Sequence, residues 1–289
     1  MSTRYFCDTD CELWYTDIDE LKIEVIRMPY VLDGKEYYYD FGEKTDFEHF
    51  YRRLREGATP TTSALNEYDY INYFEPVFAK GEDIFYIAFS SQMSATFEFM
   101  HSALAKLKEK YPERKFTYFD TKSISMGAGI QVYYAMKLRN SGASDEEVLA
   151  FLQDFTNKNC TYFCVDSLQL LYRGGRLSGF AAAVGGVLNL KPVIKVDEIG
   201  KLKVCAKAKG QSQAIKYLAN VVKEKADNLD KYDIWILQAD CMDRAEKLRE
   251  TILEATNGKA NIRTVIIGPV IGAHCGAGTL GVIFPSTSR

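Results

Sequence analysis

Continuous apolar runs alternate along this chain with stretches in which apolar residues return every three or four positions, the pattern of strands buried in a sheet with helices packed on it. Residues 84–89 form one apolar run, as expected of a strand covered on both faces of a parallel sheet. A helix follows at once, with Phe97, Met100, Leu104 and Leu107 on one face and Lys106, Lys108, Glu109 and Lys110 on the other. Before this unit, 4–7 and 21–28 read as strands, Asp33 and Gly34 as a turn, and 37–41 as its returning strand. Asp46 is placed to cap a helix through about residue 55, and Ser63 to precede another carrying Leu65, Ile71, Phe74 and Phe78. Beyond it, 115–119 predicts a strand, 125–140 a helix, and Ser144 with Glu147 a capping box. These elements amount to one doubly wound α/β domain.

A second block begins with a strand at 162–165. Residues 188–196 and 202–206 read as antiparallel partners around a turn near Gly200. A small-residue helix is expected at 179–188, then a helix at 211–226, a strand at 234–238, a helix at 243–256 and strands near Thr264 and Leu280. A chain of 289 residues exceeds the usual size of one hydrophobic core, so two domains are expected, 1–160 and 161–289. No Pro/Gly-rich linker separates them, which predicts close abutment and a shared cleft.

Composition narrows the function classes. Hydrophobic residues at 47% and charged residues at 26% are globular values that argue against disorder. A net charge of -3 offers no long-range attraction for a polyanion, so nucleic acid is not an expected partner. No apolar run approaches the roughly 18 to 20 residues of a bilayer span, and the first ten residues lack a signal-peptide core. The expected compartment is the cytoplasm, with transient contact at a membrane surface as the only membrane association. Seven scattered cysteines fit reduced thiols, and Cys160 and Cys164 read as strand residues, so no metal is expected.

Four polar segments are candidates for chemistry. Thr61, Thr62 and Ser63 stand before an expected helix, where hydroxyls and free N–H groups can bind an anion, although N-capping by Ser63 or Thr62 is the simpler reading. Ser90, Ser91, Ser94 and Thr96 lie at the carboxyl end of the buried strand, where open α/β sheets bind ligands; Ser94 as a plain cap accounts for them equally well. His274 stands among Gly272, Gly276 and Gly278 in an expected loop that can present an imidazole to a cleft. Arg173 and Arg176 flank Gly174 and Gly175; that loop suits a phosphate or acidic partner, or else Gly174 caps a helix while the arginines bridge the domains. It lacks a Gly-Lys-Ser/Thr ending, which excludes a Walker-type site. A hydrolase pairing Ser94 with His274 is the enzymatic alternative, but Ser94 lacks the glycines of a nucleophile elbow and no orienting acid is identified.

Taken in order, the segments around Cys7 to Asp10, Thr62 and Ser63, Ser90 to Thr96, Asp120 to Gly127, the Gly174–Gly175–Arg176–Leu177–Ser178 loop, the Leu188–Asn189–Leu190–Lys191–Pro192 run and Ile271 to His274 resemble the DegV family over essentially the whole chain. That family includes the fatty-acid-binding subunits of the bacterial fatty acid kinase system. The resemblance implies a two-domain α/β fold, with an N-terminal Rossmann-like parallel sheet and a C-terminal α/β domain built on a mixed sheet. It implies a non-catalytic carrier without a cofactor, holding one long-chain fatty acid in a tunnel between the domains. The ligand-binding residues it implies are Thr62, Ser63, Ser91, Ser94, Thr96, Gly272 and His274. Arg173, Arg176 and Lys209 fall to the kinase partner and the phosphoryl-transfer step. Lys209 stands where relatives carry Arg, keeping the charge but losing the planar fork. A lipid sensor or adaptor without a kinase is the remaining alternative.

Overall fold

The computed structural model describes residues 2–177 and 190–289; the helix expected at 179–188 and Ser178 lie outside the described residues. The chain opens on β1 (Thr3–Asp8), which runs directly into a single 3-10 turn, Thr9–Cys11. There the Asp8 carboxylate accepts from the Asp10 N–H at 3.1 Å. The expected strand at 21–28 is instead split between α1 (Tyr15–Leu21) and a short β2 (Glu24–Ile26). The cause is local: Asp17 accepts from the Trp14 N–H and starts a helix, and Lys22 in the left-handed conformation ends it.

A hairpin follows, β3 (Pro29–Leu32) and β4 (Lys35–Tyr38), turning at Asp33 and Gly34 as expected. Its second strand stops early because the Asp40 carboxylate gathers the N–H groups of Gly42 and Lys44 into a loop. Asp46 caps α2 (Phe47–Arg55) through the His49 N–H. The next helix, α3 (Glu67–Ala79), is capped by Asn66 and not by Ser63: Asn66 and Asp69 exchange side-chain to backbone bonds. Thr61 and Thr62 form β5 and pair with Val31 and Tyr30. The capping reading of these hydroxyls is thereby corrected, since a better cap lies three residues on.

The strand–helix units come next: β6 (Asp83–Ala88), α4 (Thr96–Lys110), β7 (Phe116–Asp120), α5 (Met126–Asn140) and α6 (Asp145–Thr156), the last starting with the expected Ser144–Glu147 capping box. The chain then enters a different sheet with β8 (Asn159–Cys164) and α7 (Gln169–Arg173). It continues through β9 (Leu190–Val196), β10 (Leu202–Lys209), α8 (Gln211–Lys225), β11 (Ile234–Gln238), α9 (Met242–Ala255), β12 (Ile262–Ile266), α10 (Pro269–Cys275) and β13 (Leu280–Pro285).

The first sheet is parallel, in the order β2-β1-β6-β7; the second is mixed, in the order β10-β9-β8-β13-β11-β12, and β4-β3-β5 form a small antiparallel third. Period-two alternation in β11 sorts the second sheet's core: Trp235 and Leu237 join the cluster shared with the first sheet, while Ile234 and Ile236 join the one beneath α8 and α9. Between the sheets, α5 is buried from Met126 to Val132. Its Gly127 faces the Ser123 and Thr161 hydroxyls and Gly129 the Cys11 carbonyl so closely that neither site has space for a methyl group.

Candidate functional site

The two large sheets close on a slot with a cavity of about 90 Å³. Its apolar wall includes Phe89 beyond β6, Phe163 of β8, Leu202 of β10 and Leu237 of β11, with Ile267 from the β12–α10 connection and Val270 of α10.

The polar part is assembled from three separated stretches. Thr62 is held by the β5 ladder, Ser63 follows it, Ser94 precedes α4, and His274 lies on α10; all four line the slot. His274 belongs to a helix and not to the glycine loop the sequence suggested. Pro269 starts that helix with a preset φ, and Gly276, at φ +81°, takes the chain out of it. Thr62 Oγ1 and His274 Nε2 lie 2.8 Å apart, within hydrogen-bond distance. On the other side of the ring, a methyl group at Gly174 would sit 2.5 Å from Nδ1, so the glycine loop can press against the imidazole only because it has no side chain there. Burial, aided by the positive charge of Arg176, lowers the His274 pKa to about 4, which leaves the imidazole neutral at physiological pH.

Arg176 also lines the slot. Its Nε donates to the Met93 carbonyl at 3.1 Å, and a second guanidinium N–H reaches the Gly174 carbonyl. The residue assigned from sequence to a partner thus lines the slot, bonded to the residue before Ser94. Ser94 Oγ accepts from the Thr96 N–H at 3.2 Å, which fixes its position before the helix.

Other expected contacts are not brought to the slot. Ser91 Oγ donates to Asp120 Oδ2 at 2.7 Å. Thr96 is fully buried, accepting from the Leu65 N–H and sharing a 2.9 Å bond with the Tyr70 hydroxyl. Gly272 lets α10 approach the Phe50 ring, which a methyl group would meet at 2.8 Å. These three are used in packing. Arg173 and Lys209 are exposed, with the Lys209 N–H donating to Gln213 Oε1 at 3.0 Å.

Among the lining residues to which sequence reasoning gave no role is Asp10. The visible signal was three acidic residues in five, Asp8, Asp10 and Glu12, directly after a buried strand. Glu12 is a buried support: it accepts from the Gly268 N–H at 2.5 Å and from the Ser125 hydroxyl, and burial raises its pKa to about 8. Among the described residues, no three His, Cys, Asp or Glu side chains gather as a metal site, and no helix is long and apolar enough to cross a membrane.

The fold and slot define a class, an α/β protein whose parallel and mixed sheets clasp a largely apolar space with a cluster of hydroxyls and one imidazole. The chain belongs to the DegV family: the model of that family, described as an uncharacterised protein family, matches residues 5–287. A DegV domain-containing protein of Clostridium perfringens is 37% identical over 279 residues, covering 96% of each chain. Among solved structures, a DegV family protein from Thermus thermophilus described for its fatty acid binding superposes with a TM-score of 0.86 at 27% identity, over 99% of this chain and 100% of that one. A fatty acid binding DegV family protein from Streptococcus agalactiae matches with a TM-score of 0.85 at 25% identity, over 99% of each chain.

Proposed function

We propose that this protein is a carrier that holds one long-chain fatty acid in the slot between its two domains and presents the carboxylate to a fatty acid kinase in the cytoplasm. The observation that carries the reading is the Thr62–His274 pair, which stands with Ser63 and Ser94 on a slot whose walls are largely apolar. The fatty acid binding of the relatives from Thermus thermophilus and Streptococcus agalactiae supports it. A neutral imidazole suits this role: with Nε2 protonated it donates to Thr62 Oγ1, leaving the Thr62 hydroxyl to donate to the ligand carboxylate. Ser63 and Ser94 add two further hydroxyl donors.

The magnitudes divide the work. At about 0.8 kcal/mol per buried methylene, a chain of roughly sixteen carbons contributes on the order of 12 kcal/mol, against association and ordering costs of several kcal/mol. Each head contact adds about 0.5 to 1.5 kcal/mol net. The chain supplies affinity, and the hydroxyls select a free acid and fix its position. A serine hydrolase would instead need Ser94 bonded to a general base. Among the described residues no such bond joins it to His274, whose Nε2 faces Thr62.

Native mass spectrometry of freshly purified protein, followed by lipid extraction, tests the binding; recovery of protein with no acyl ligand that also fails to take up added fatty acid would sink it. ATP consumption by a fatty acid kinase should require the loaded protein. Lys209→Ala should spare ligand retention and slow that transfer by roughly tenfold, the size of one lost charge contact. A kinase indifferent to the loaded protein would return the reading to a sensor or adaptor.

A further inference from the structure

Asp10 is out of place in a site for an acid. It is 6% exposed and lines the slot, and its Oδ1 is buried with no hydrogen-bond partner among the described residues. The turn that holds it is fixed, because its own N–H is bound by the Asp8 carboxylate. Asp8 and Glu12 crowd it from the same turn, Tyr70 of α3 lies within electrostatic range, and Arg176 and the neutral His274 face the same slot. Arg176 is thus the one cation among these groups. An ionised Asp10 and an ionised ligand head would place two negative charges against it in a medium that screens poorly.

One arrangement removes the conflict. Resting on the fatty-acid reading above, we infer that Asp10 enters the complex as the neutral acid and donates its O–H to the ligand carboxylate, so that binding is coupled to one proton. The ligand's charge is then balanced by Arg176, and the orphaned oxygen gains its partner. Burial first, then the neighbouring carboxylates Asp8 and Glu12, hold the Asp10 acid well above the ordinary range, with Arg176 opposing. Asp10 would be a specificity residue, reading the head of the ligand while the wall reads its tail.

The test measures hexadecanoic acid binding by calorimetry from about pH 6 to pH 9 for the wild-type protein, Asp10→Asn and Asp10→Ala, the ratios cancelling the ligand's own titration. Asp10→Asn keeps a donor without a titrating proton. It should match wild type within a few-fold at the acid end, and wild-type affinity should then fall relative to it by up to tenfold per pH unit. Asp10→Ala, with no donor, should bind roughly tenfold more weakly than Asp10→Asn throughout. Should the Asn variant misfold, Asp10→Ser supplies a non-titrating donor for the same comparison. Parallel pH profiles, or an alanine variant binding as tightly as the asparagine one, would overturn the proton coupling while leaving the fatty-acid reading intact. Absence of binding by every variant and by wild type would overturn both.

Discussion

Thr62, Ser63, Ser94 and His274 reach the slot from three distant stretches of chain, and their polar atoms depend on neighbours placed just so. Phe89, Phe163, Leu202 and Leu237, which form the apolar wall, come from strands or their ends and would serve as core in any α/β protein. The polar cluster needs direction, because a hydrogen bond weakens steeply with angle and distance. The wall needs only apolar area and a gap of the right width. A site can therefore draw most of its affinity from its least distinctive residues and its selectivity from a few particular ones.

The wall should give the largest effect. Shortening the ligand from sixteen carbons to eight removes about 6 kcal/mol of transfer energy, on the order of 10⁴-fold in affinity. Titration calorimetry across a chain-length series would show it, and affinity independent of length would mean that the tail lies outside the slot. Next comes a pH effect confined to the polar cluster. His274 titrates at about 4 in the folded protein against 6.5 for the free side chain. Above about pH 6.5 both states are neutral; as pH falls from there the unfolded chain takes up a proton that the native one refuses until about 4, so stability is lost across that window by about 3 kcal/mol. The raised Glu12 carboxyl gives the opposite slope, so the measurement is the difference between wild type and His274→Gln in urea denaturation. Identical slopes would show that the imidazole is solvated.

Gly174→Ala ranks third. The position has φ -71°, which alanine adopts freely, so the cost arises from the methyl group displacing the imidazole. Fatty acid binding should weaken by about 1 to 2 kcal/mol, the value of the head contacts that the displaced ring supports. Unchanged affinity would separate His274 from the head group. Ser94→Ala is the smallest, about 0.5 to 1.5 kcal/mol in ligand retention with the unfolding temperature of the ligand-free protein nearly unchanged. A large loss of unliganded stability with retention unaltered would make Ser94 a helix-end residue and nothing more.

Most elements of the fold were legible along the chain, because strand and helix periodicities are local. The apolar run at 84–89 and the faces of α4 and α8 needed no partner to be read. The misreadings were also local in origin. A helix nucleated by Asp17 and a cap at Asn66 outcompeted the strand and cap expected nearby, since one side-chain bond to a free N–H decides such boundaries. The resemblance carried by the ordered motifs located Thr62, Ser94 and His274, though nothing in their spacing showed that they share a slot.

By itself the sequence determined the alternation of strands and helices, the family, and which hydroxyls and imidazole were available. Only the tertiary structure decided that Thr62 meets His274, that Arg176 and Asp10 face the slot, and that Thr96, Ser91 and Gly272 serve packing. The reason is that hydrogen-bond partnership and burial are properties of residues brought together across as many as 256 positions. A residue's own type cannot disclose which of its neighbours in space will be charged, apolar or missing.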